Sequence, residues 1–219
     1  MKNIELVIFD MDGLMFDTER ISCRVWSEVL AKHGYHYNFE IFSEMIGSNL
    51  ERIKAICIKH YGADFPFDEI KLERYDLTNK IIEAEGLVIK KGLIELLAFL
   101  YPLNIKTALA TSSGRDRATG LLNNCHIEKY FDYILCGDEV SKSKPDPEIF
   151  LTAAKKLSCS TNKTIVLEDS DVGIKAAYDA GMIPILIPDI KTPSKETLAL
   201  AYQSFPSLLD FKAYLQKLL

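Results

Sequence analysis

The chain has 219 residues, of which 48% are hydrophobic and 26% are charged, and its formal net charge is −5. This length exceeds the common single-domain size of about 100–200 residues, so it predicts one domain with a sizeable insertion, or two domains. The sequence has no long basic block and no apolar run near the ~18 residues of a membrane span, which argues against a nucleic-acid binder and a membrane protein.

The N-terminal residues lead directly into an apolar run that is interrupted by Glu5 and Asp10, without the small-residue cleavage site of a secretory signal. We therefore expect a cytoplasmic protein. The five cysteines are scattered and none belongs to a C-x-x-C pair. This spacing argues against a disulfide framework and against a zinc site, and it favours reduced, mostly buried thiols.

The first predicted element is a strand at residues 4–10, because its short, β-rich apolar run is typical of a strand buried on both faces of a parallel sheet. From about residue 18 to 86 the pattern indicates helices only. Ile21, Val25 and Val29 recur every four residues, and Gly34 and Asn49 are suited to end one helix and begin another.

After Gly92 strands and helices alternate. Helices are predicted at 93–100, after Gly114, at 148–157 and at 172–180, and strands at 106–110, 133–136, 164–167 and 183–187, followed by a loop at 191–195. This βαβα order predicts an α/β fold with a doubly wound, Rossmann-like parallel sheet. The predicted domains are a core formed by residues 1–17 and 87–219 and a helical insertion formed by residues 18–86.

Acidic residues follow two of the predicted strands. Asp10 and Asp12 come at the end of the first strand, and Glu168 and Asp169 at the end of another. Ligands bind at the carboxyl ends of the strands in such a sheet, and carboxylates that lie this close together need a compensating cation. Oxygen ligands without histidine or cysteine suit Mg²⁺, which keeps positions open for a substrate phosphate. The sequence therefore predicts a magnesium site.

The other strand ends suit a phosphate group. Thr111 and Ser112 offer hydroxyl and amide groups before a helix, and Lys144 offers a compact positive charge, with Lys142 as a neighbouring alternative. An aspartate carboxylate can attack phosphorus when nearby cations neutralise the repulsion between the two anions. D-x-D-G alone is a common turn, but here it follows a buried strand.

The order of these motifs resembles that of the haloacid dehalogenase-like phosphatases over nearly the whole chain. The run from Asp10 to Glu19 is similar to their first motif, D-x-D-G-x-x-x-D, and Thr111 is similar to the second-motif Ser/Thr. Lys144 before a proline is similar to the third-motif lysine, and the pair at 168 and 169 to the fourth acidic motif. The first motif and the DTE run look most like the phosphatase and β-phosphoglucomutase-like branch.

The resemblance implies a role for each matching residue. Asp10 would be the nucleophile and Asp12 the general acid and base, and Mg²⁺ would bind the Asp10 carboxylate, the Asp12 carbonyl and Asp169, with Glu168 acting directly or through water. Thr111 and Lys144 would be catalytic groups that hold the transferring phosphoryl group, with Ser112 beside them. The helical insertion would be the family's α-helical cap.

Within that branch we expect a phosphatase that acts on a small phosphorylated metabolite, such as a sugar phosphate or a nucleoside monophosphate. The alternative is a β-phosphoglucomutase-type isomerase. Ser22 and Leu50 stand where those mutases carry a cap histidine and a cap arginine, which favours hydrolysis, whereas Lys80 aligns roughly with a cap lysine of the mutases.

Two other classes are less favoured. Dehalogenases of the family lack the second aspartate of the first motif, which is Asp12 here, and a non-catalytic relative would have lost part of the carboxylate set. Besides the metabolite we expect neither a nucleic-acid nor a membrane partner, and we expect a monomer.

Overall fold

A computed structural model of the chain describes residues 3–219, in which helices surround a parallel sheet. The strands are β1 (Leu6–Phe9), β2 (Lys106–Ala110), β3 (Tyr133–Leu135), β4 (Thr164–Glu168), β5 (Ile183–Leu186) and β6 (Gln203–Ser204). The helices are α1 (Thr18–Lys32), α2 (Phe39–Met45), α3 (Leu50–Tyr61), α4 (Phe67–Glu85), α5 (Leu93–Leu100), α6 (Arg115–Asn124), α7 (Glu148–Lys156), α8 (Asp171–Asp179), α9 (Lys195–Leu200) and α10 (Leu208–Leu215). The predicted strands and helices of the sheet domain are all present, with bounds within two residues of those expected.

The strand order in the sheet is β3-β2-β1-β4-β5-β6, and every pair of neighbours is parallel. This confirms the predicted doubly wound parallel sheet. The chain adds strands on one side of β1 and then on the other, so the carboxyl end of β1 lies at the point where the strand order reverses. Ligands of open α/β sheets bind at such a point.

Strand β1 is buried on both faces because its side chains alternate between two hydrophobic cores. Val7 and Phe9 pack into a core with side chains of α5, α6 and α10. Leu6 and Ile8 face a second core with side chains of α7 and α8. A strand that is covered on both sides holds the residues after it in a fixed position, and those residues include Asp10 and Asp12.

The C-terminal part of the chain is more regular than expected. The predicted loop at 191–195 ends one residue early, because Lys195 is the first residue of α9 and the hydroxyl of Ser194 accepts a hydrogen bond from the Thr197 amide. Strand β6 has only two residues, both exposed, so its sequence has no apolar pattern that could predict it.

Helices α1 to α4 have a hydrophobic core of their own. Its buried side chains include Trp26 of α1, Phe42 of α2, Cys57 of α3 and Ile70 of α4. This separate core supports the prediction that residues 18–86 form a cap, and we use that name for them below. The exact division into domains stays a prediction.

Side-chain contacts join the cap to the sheet domain near the strand ends. The Ser112 hydroxyl, after β2, donates to the carbonyl of Gly47 at 2.8 Å, and the Lys191 ammonium donates to the carbonyl of Ser43 at 3.2 Å. Asp189, whose side chain is buried, accepts hydrogen bonds from Arg20 and Lys90, which flank the two crossings between the domains. The cap therefore lies over the carboxyl ends of the strands.

Two further expectations concern membrane-spanning segments and the burial of the cysteine thiols. Within residues 3–219 we find no helix with the length and apolar character required to span a bilayer. All five cysteines are free, but only Cys57 and Cys136 are buried and the other three are half-buried, so the expectation of mostly buried thiols is wrong.

Gly92 is a sensitive point of the fold. Its φ is +91°, and a Cβ there would lie 2.1 Å from the amide nitrogen of Leu209 at the start of α10. We expect Gly92→Ala to lower the free energy of unfolding by about 3 kcal/mol, because overpacking adds to backbone strain. Urea denaturation followed by circular dichroism measures this loss.

The matched control is Gly34→Ala. Gly34 also has a positive φ, of +77°, but nothing lies within 4 Å of its added Cβ. We expect this change to lower the free energy of unfolding by only about 1 kcal/mol. Equal losses for the two variants would contradict the packing argument.

Candidate active site

Lys144 lies at the centre of the site residues that the sequence predicts. Its side chain is 1% exposed, and its ammonium donates to Asp10 Oδ1 and Glu168 Oε1, both at 2.6 Å, and to the carbonyl of Ala110 at 3.2 Å. Three strands, β1, β2 and β4, therefore present an acceptor to one cation. Removing such a cation would leave two buried carboxylates unpaired, a change that costs roughly 3–5 kcal/mol.

One cation does not balance the acidic groups around it. Burial raises the pKa of Asp10 to about 7, although the Lys144 ammonium acts in the opposite direction. Burial, together with the charges of Glu168 and Asp10, raises the pKa of Asp169 well above its ordinary value. Carboxyl oxygens of Asp10, Glu168 and Asp169 all lie within 4.8 Å of one another. This excess of buried acid suits a divalent cation.

The backbone around Asp169 also fits a metal site. Gly13 has φ +78°, and a Cβ on it would lie 2.2 Å from Asp169 Oδ2, so only glycine lets the loop after β1 approach this carboxylate so closely. Glu168 is more constrained, since its Oε2 accepts hydrogen bonds from the Asp169 amide and from the amide and hydroxyl of Ser170. Asp10 and Asp169 therefore have more freedom to bind an ion than Glu168 has.

The Asp12 carboxylate is held by four hydrogen bonds. Its Oδ1 accepts from the Thr18 hydroxyl at 2.6 Å and from Arg117 Nη2 at 2.7 Å. Its Oδ2 accepts from the Ser113 hydroxyl at 2.8 Å and from Arg117 Nη1 at 2.7 Å. Burial alone would raise the pKa of Asp12, but the charge and hydrogen bonds of Arg117 hold it below the ordinary value. Asp12 is therefore ionised at neutral pH.

The polar residues after β2 have different surroundings. Thr111 is buried, and its Oγ1 accepts from the Ser113 amide at 3.1 Å. The hydroxyl of Ser112 donates to the cap at Gly47, so its part in phosphate binding stays a prediction. Lys142, the alternative to Lys144, is 70% exposed and pairs with a surface aspartate.

The structure thus brings Asp10, Asp12, Thr111, Lys144, Glu168 and Asp169 to one end of the sheet. It adds four side chains that sequence reasoning missed, namely Thr18, Glu19, Ser113 and Arg117. Thr18 and Glu19 stand in the DTE run after the first motif, which could have drawn attention to them. Arg117 had no such signal, because one arginine in a polar helix is ordinary.

Within residues 3–219, we find no side-chain hydrogen bond or ion pair between these residues and the three cap positions that bear on the mutase alternative. Lys80 is exposed, and its ammonium contacts Asp76 on the same helix at 3.0 Å. Leu50 is 41% exposed, and the neighbouring Asn49 side chain caps α3. Ser22 is half-buried on α1.

Comparison with known proteins identifies the family. The family model described as haloacid dehalogenase-like hydrolase matches residues 7–187, which is most of the chain. The chain belongs to this family, and the resemblance that its motifs predicted is confirmed.

Individual relatives place the chain in one branch of the family. It is 33% identical over 219 residues to a Drosophila melanogaster protein named "Probable pseudouridine-5'-phosphatase", with 97% of this chain and 93% of that protein covered. It is 34% identical to the phosphorylated carbohydrates phosphatase of Thermotoga maritima, with 82% of each covered. The crystal structure of β-phosphoglucomutase from Clostridium difficile superimposes with a TM-score of 0.81 at 27% identity, covering 98% of this chain and 96% of that one.

Glu19 provides a test of the electrostatics. Burial raises its pKa to about 8, and the charge of Asp12 adds to this effect while Arg117 opposes it. The unfolded chain has an ordinary carboxyl there, with a pKa of 4.5, so the folded protein holds a proton that the unfolded chain releases as the pH rises from 4.5 to about 8. The wild type therefore loses stability in this window.

We expect Glu19→Gln, which cannot titrate, to gain stability relative to the wild type across this window. The gain reaches at most roughly 5 kcal/mol above about pH 8, at about 1.4 kcal/mol per pH unit. Denaturation of both proteins at about pH 5 and about pH 9 with a chelator present measures it. Glu83→Gln on the exposed face of α4 is the control, and a stability difference for Glu19→Gln that does not change with pH would contradict the buried acid.

Proposed function

We propose that this protein is a Mg²⁺-dependent phosphatase that hydrolyses a small sugar phosphate or nucleoside monophosphate through an aspartyl phosphate on Asp10. The observation that carries the proposal is the contact between the Lys144 ammonium and Asp10 Oδ1 at 2.6 Å, beside two further acidic residues. This contact turns one oxygen of Asp10 toward a fixed cation and leaves the second oxygen to attack phosphorus.

The enzyme class rests on the relatives. Two of them, at 33% and 34% identity, are named as phosphatases, one of pseudouridine 5'-phosphate and one of phosphorylated carbohydrates. The predicted class, a phosphoric monoester hydrolase, is confirmed. The two names support a substrate whose alcohol part is a sugar or a nucleoside. A cytoplasmic location and a monomeric state stay predictions.

In the first chemical step, the free Asp10 oxygen forms a bond to phosphorus while the bond between phosphorus and the ester oxygen breaks. Asp12, which is ionised in the unliganded protein, would take up a proton from solvent when the substrate binds and pass it to the leaving oxygen, and the alcohol departs. In the second step, Asp12 takes a proton from water, whose oxygen attacks phosphorus and releases Asp10 and inorganic phosphate. Lys144 and the groups at Thr111 hold the phosphoryl oxygens throughout.

The metal would bind between Asp10 and Asp169, with the main-chain carbonyl of Asp12 as a further oxygen ligand and Glu168 acting directly or through water. When bound, Mg²⁺ offsets the negative charge that gathers as carboxylate and phosphate approach each other. The residues fit an ion of this kind because all the side-chain donors are oxygen atoms and because burial raises the pKa of both Asp10 and Asp169 above the ordinary value.

The nucleophile is tested by Asp10→Asn. We expect hydrolysis of p-nitrophenyl phosphate to fall by at least about a thousandfold, because an amide cannot form the phosphoenzyme. The melting temperature should stay close to that of the wild type, since the amide oxygen can still accept from Lys144. Asp116→Asn, an exposed aspartate on α6, is the matched control and should retain activity. Turnover of Asp10→Asn near the wild-type rate would refute the mechanism.

Removal of the metal is a second test. After dialysis against a chelator, phosphate release should fall to background, and Mg²⁺ should restore it, because the acidic cluster then regains its counter-charge. The melting temperature at about pH 8 should rise when the ion is added, since binding to the folded state stabilises it. Full activity in the chelator would exclude the proposed role of the ion.

The mutase alternative has one observation in its favour, the superposition on β-phosphoglucomutase at 27% identity. The exposed Leu50 at the position of a phosphate-binding arginine argues against it. Incubation with β-glucose 1-phosphate and its bisphosphate activator separates the two. We expect release of inorganic phosphate, and conversion to glucose 6-phosphate without such release would support the isomerase instead.

A further inference from the structure

Arg74, on α4 of the cap, is a cation without a counter-ion in the part of the chain that the structure describes. The centre of its guanidinium lies 3.7 Å from the centroid of the Trp26 ring. Its Nε is buried and has no hydrogen-bond partner, and we find no ion pair for Arg74 within residues 3–219. A buried donor that stays unpaired is costly, so such a group indicates that a ligand completes the site.

A second arginine, Arg117 of α6, holds the Asp12 carboxylate. Burial is the main cause that lowers the pKa of Arg74 to about 10, and the charge of Arg117 acts in the same direction. Arg117 uses both terminal nitrogens on Asp12 and Ser113. Arg74 is therefore the guanidinium with free donors, and the planar fork of an unpaired guanidinium suits a carboxylate.

Helix α1 relates Arg74 to the reacting groups. The helix begins at Thr18, whose hydroxyl contacts Asp12, and Glu19 is in its first turn. Trp26 follows Glu19 by seven residues, which places both side chains on the same helix face, about 10 Å apart along the axis. Arg74 stacks on Trp26, so it lies toward the end of the leaving group that is far from the phosphate.

The side-chain charges around Arg74 would be balanced by one further negative group. Arg117 is paired with the Asp12 carboxylate through two hydrogen bonds, so its charge is already compensated. Arg74 has no ion pair within residues 3–219. Its single positive charge matches a carboxylate better than the two negative charges of a second phosphate, and a neutral polyol would leave it uncompensated.

We propose that Arg74 forms a subsite for a carboxylate at the far end of the leaving group, so that the preferred substrates are phosphorylated sugar acids or hydroxy acids. This proposal rests on the phosphatase function proposed above and narrows its substrate class. Arg74 would stack on Trp26 and donate through Nε and a terminal nitrogen, and the cap would have to close over the substrate to complete the contact.

Matched pairs of substrates test the subsite. We expect kcat/KM for 6-phosphogluconate to exceed that for sorbitol 6-phosphate by at least about tenfold, or the same excess for 3-phosphoglycerate over glycerol 3-phosphate, because each pair differs in a carboxylate against a hydroxymethyl group. Equal rates in both pairs would overturn the proposal. A preference for fructose 1,6-bisphosphate over all four compounds would overturn the choice of carboxylate.

Substitution of Arg74 tests whether this residue is responsible. Arg74→Met should reduce the preference for the acid over the neutral partner to about one, and Arg74→Lys should retain part of it, because lysine keeps the charge without the planar fork. Arg24→Met is the control, since Arg24 is an exposed cap arginine that is paired with Glu85 at 2.7 Å. An unchanged preference in Arg74→Met would refute the assignment, and if this variant fails to fold, the comparison rests on Arg74→Lys.

A binding experiment separates this inference from the phosphatase function. Trp26 is the single tryptophan of the chain, so its fluorescence reports directly on the surroundings of Arg74. In Asp10→Asn, which cannot turn over, 6-phosphogluconate should change the Trp26 emission at concentrations at least about tenfold below those that sorbitol 6-phosphate requires. Equal midpoints for the two ligands would refute the subsite while leaving the phosphatase function untouched.

Discussion

The ion contacts of Lys144 are the interaction on which the rest of the site depends. Its ammonium is buried and joins Asp10 of the first strand end to Glu168 of the fourth. A buried cation stays charged only when acidic partners surround it, and its removal would leave buried carboxyl groups without their counter-charge. The three residues therefore fix one another, and they hold Asp10, the proposed nucleophile, in one orientation at the strand ends.

The sheet provides the rigidity that this arrangement needs. Two hydrophobic cores cover β1, so the loop that follows it cannot move without disturbing either core. The parallel register then brings the ends of β2 and β4 beside that of β1. Groups that are far apart in sequence thus meet with little freedom, which is the condition for electrostatic stabilisation of a transition state.

The cap has a different physical character. It has its own core and meets the sheet domain through a few polar contacts, such as Ser112 with Gly47 and Lys191 with Ser43. Polar contacts of this kind can break and form again at low cost, whereas the cores on either side stay intact. The proposed reacting groups thus belong to the rigid domain, and the cap carries Arg74, the residue proposed to contact the leaving group.

The sequence by itself determined the fold class, the family and the four acidic residues at the ends of β1 and β4. Apolar strands and regularly spaced helices are local signals, and Asp10, Asp12, Glu168 and Asp169 follow strands whose parallel order brings their ends together. Only the tertiary structure decided which groups touch. It showed that Lys144 rather than Lys142 is buried, that Arg117 and Thr18 hold Asp12, and that Arg74 has no counter-ion among residues 3–219. Sequence cannot reveal these facts, because a side chain's partners depend on packing between elements that are distant along the chain.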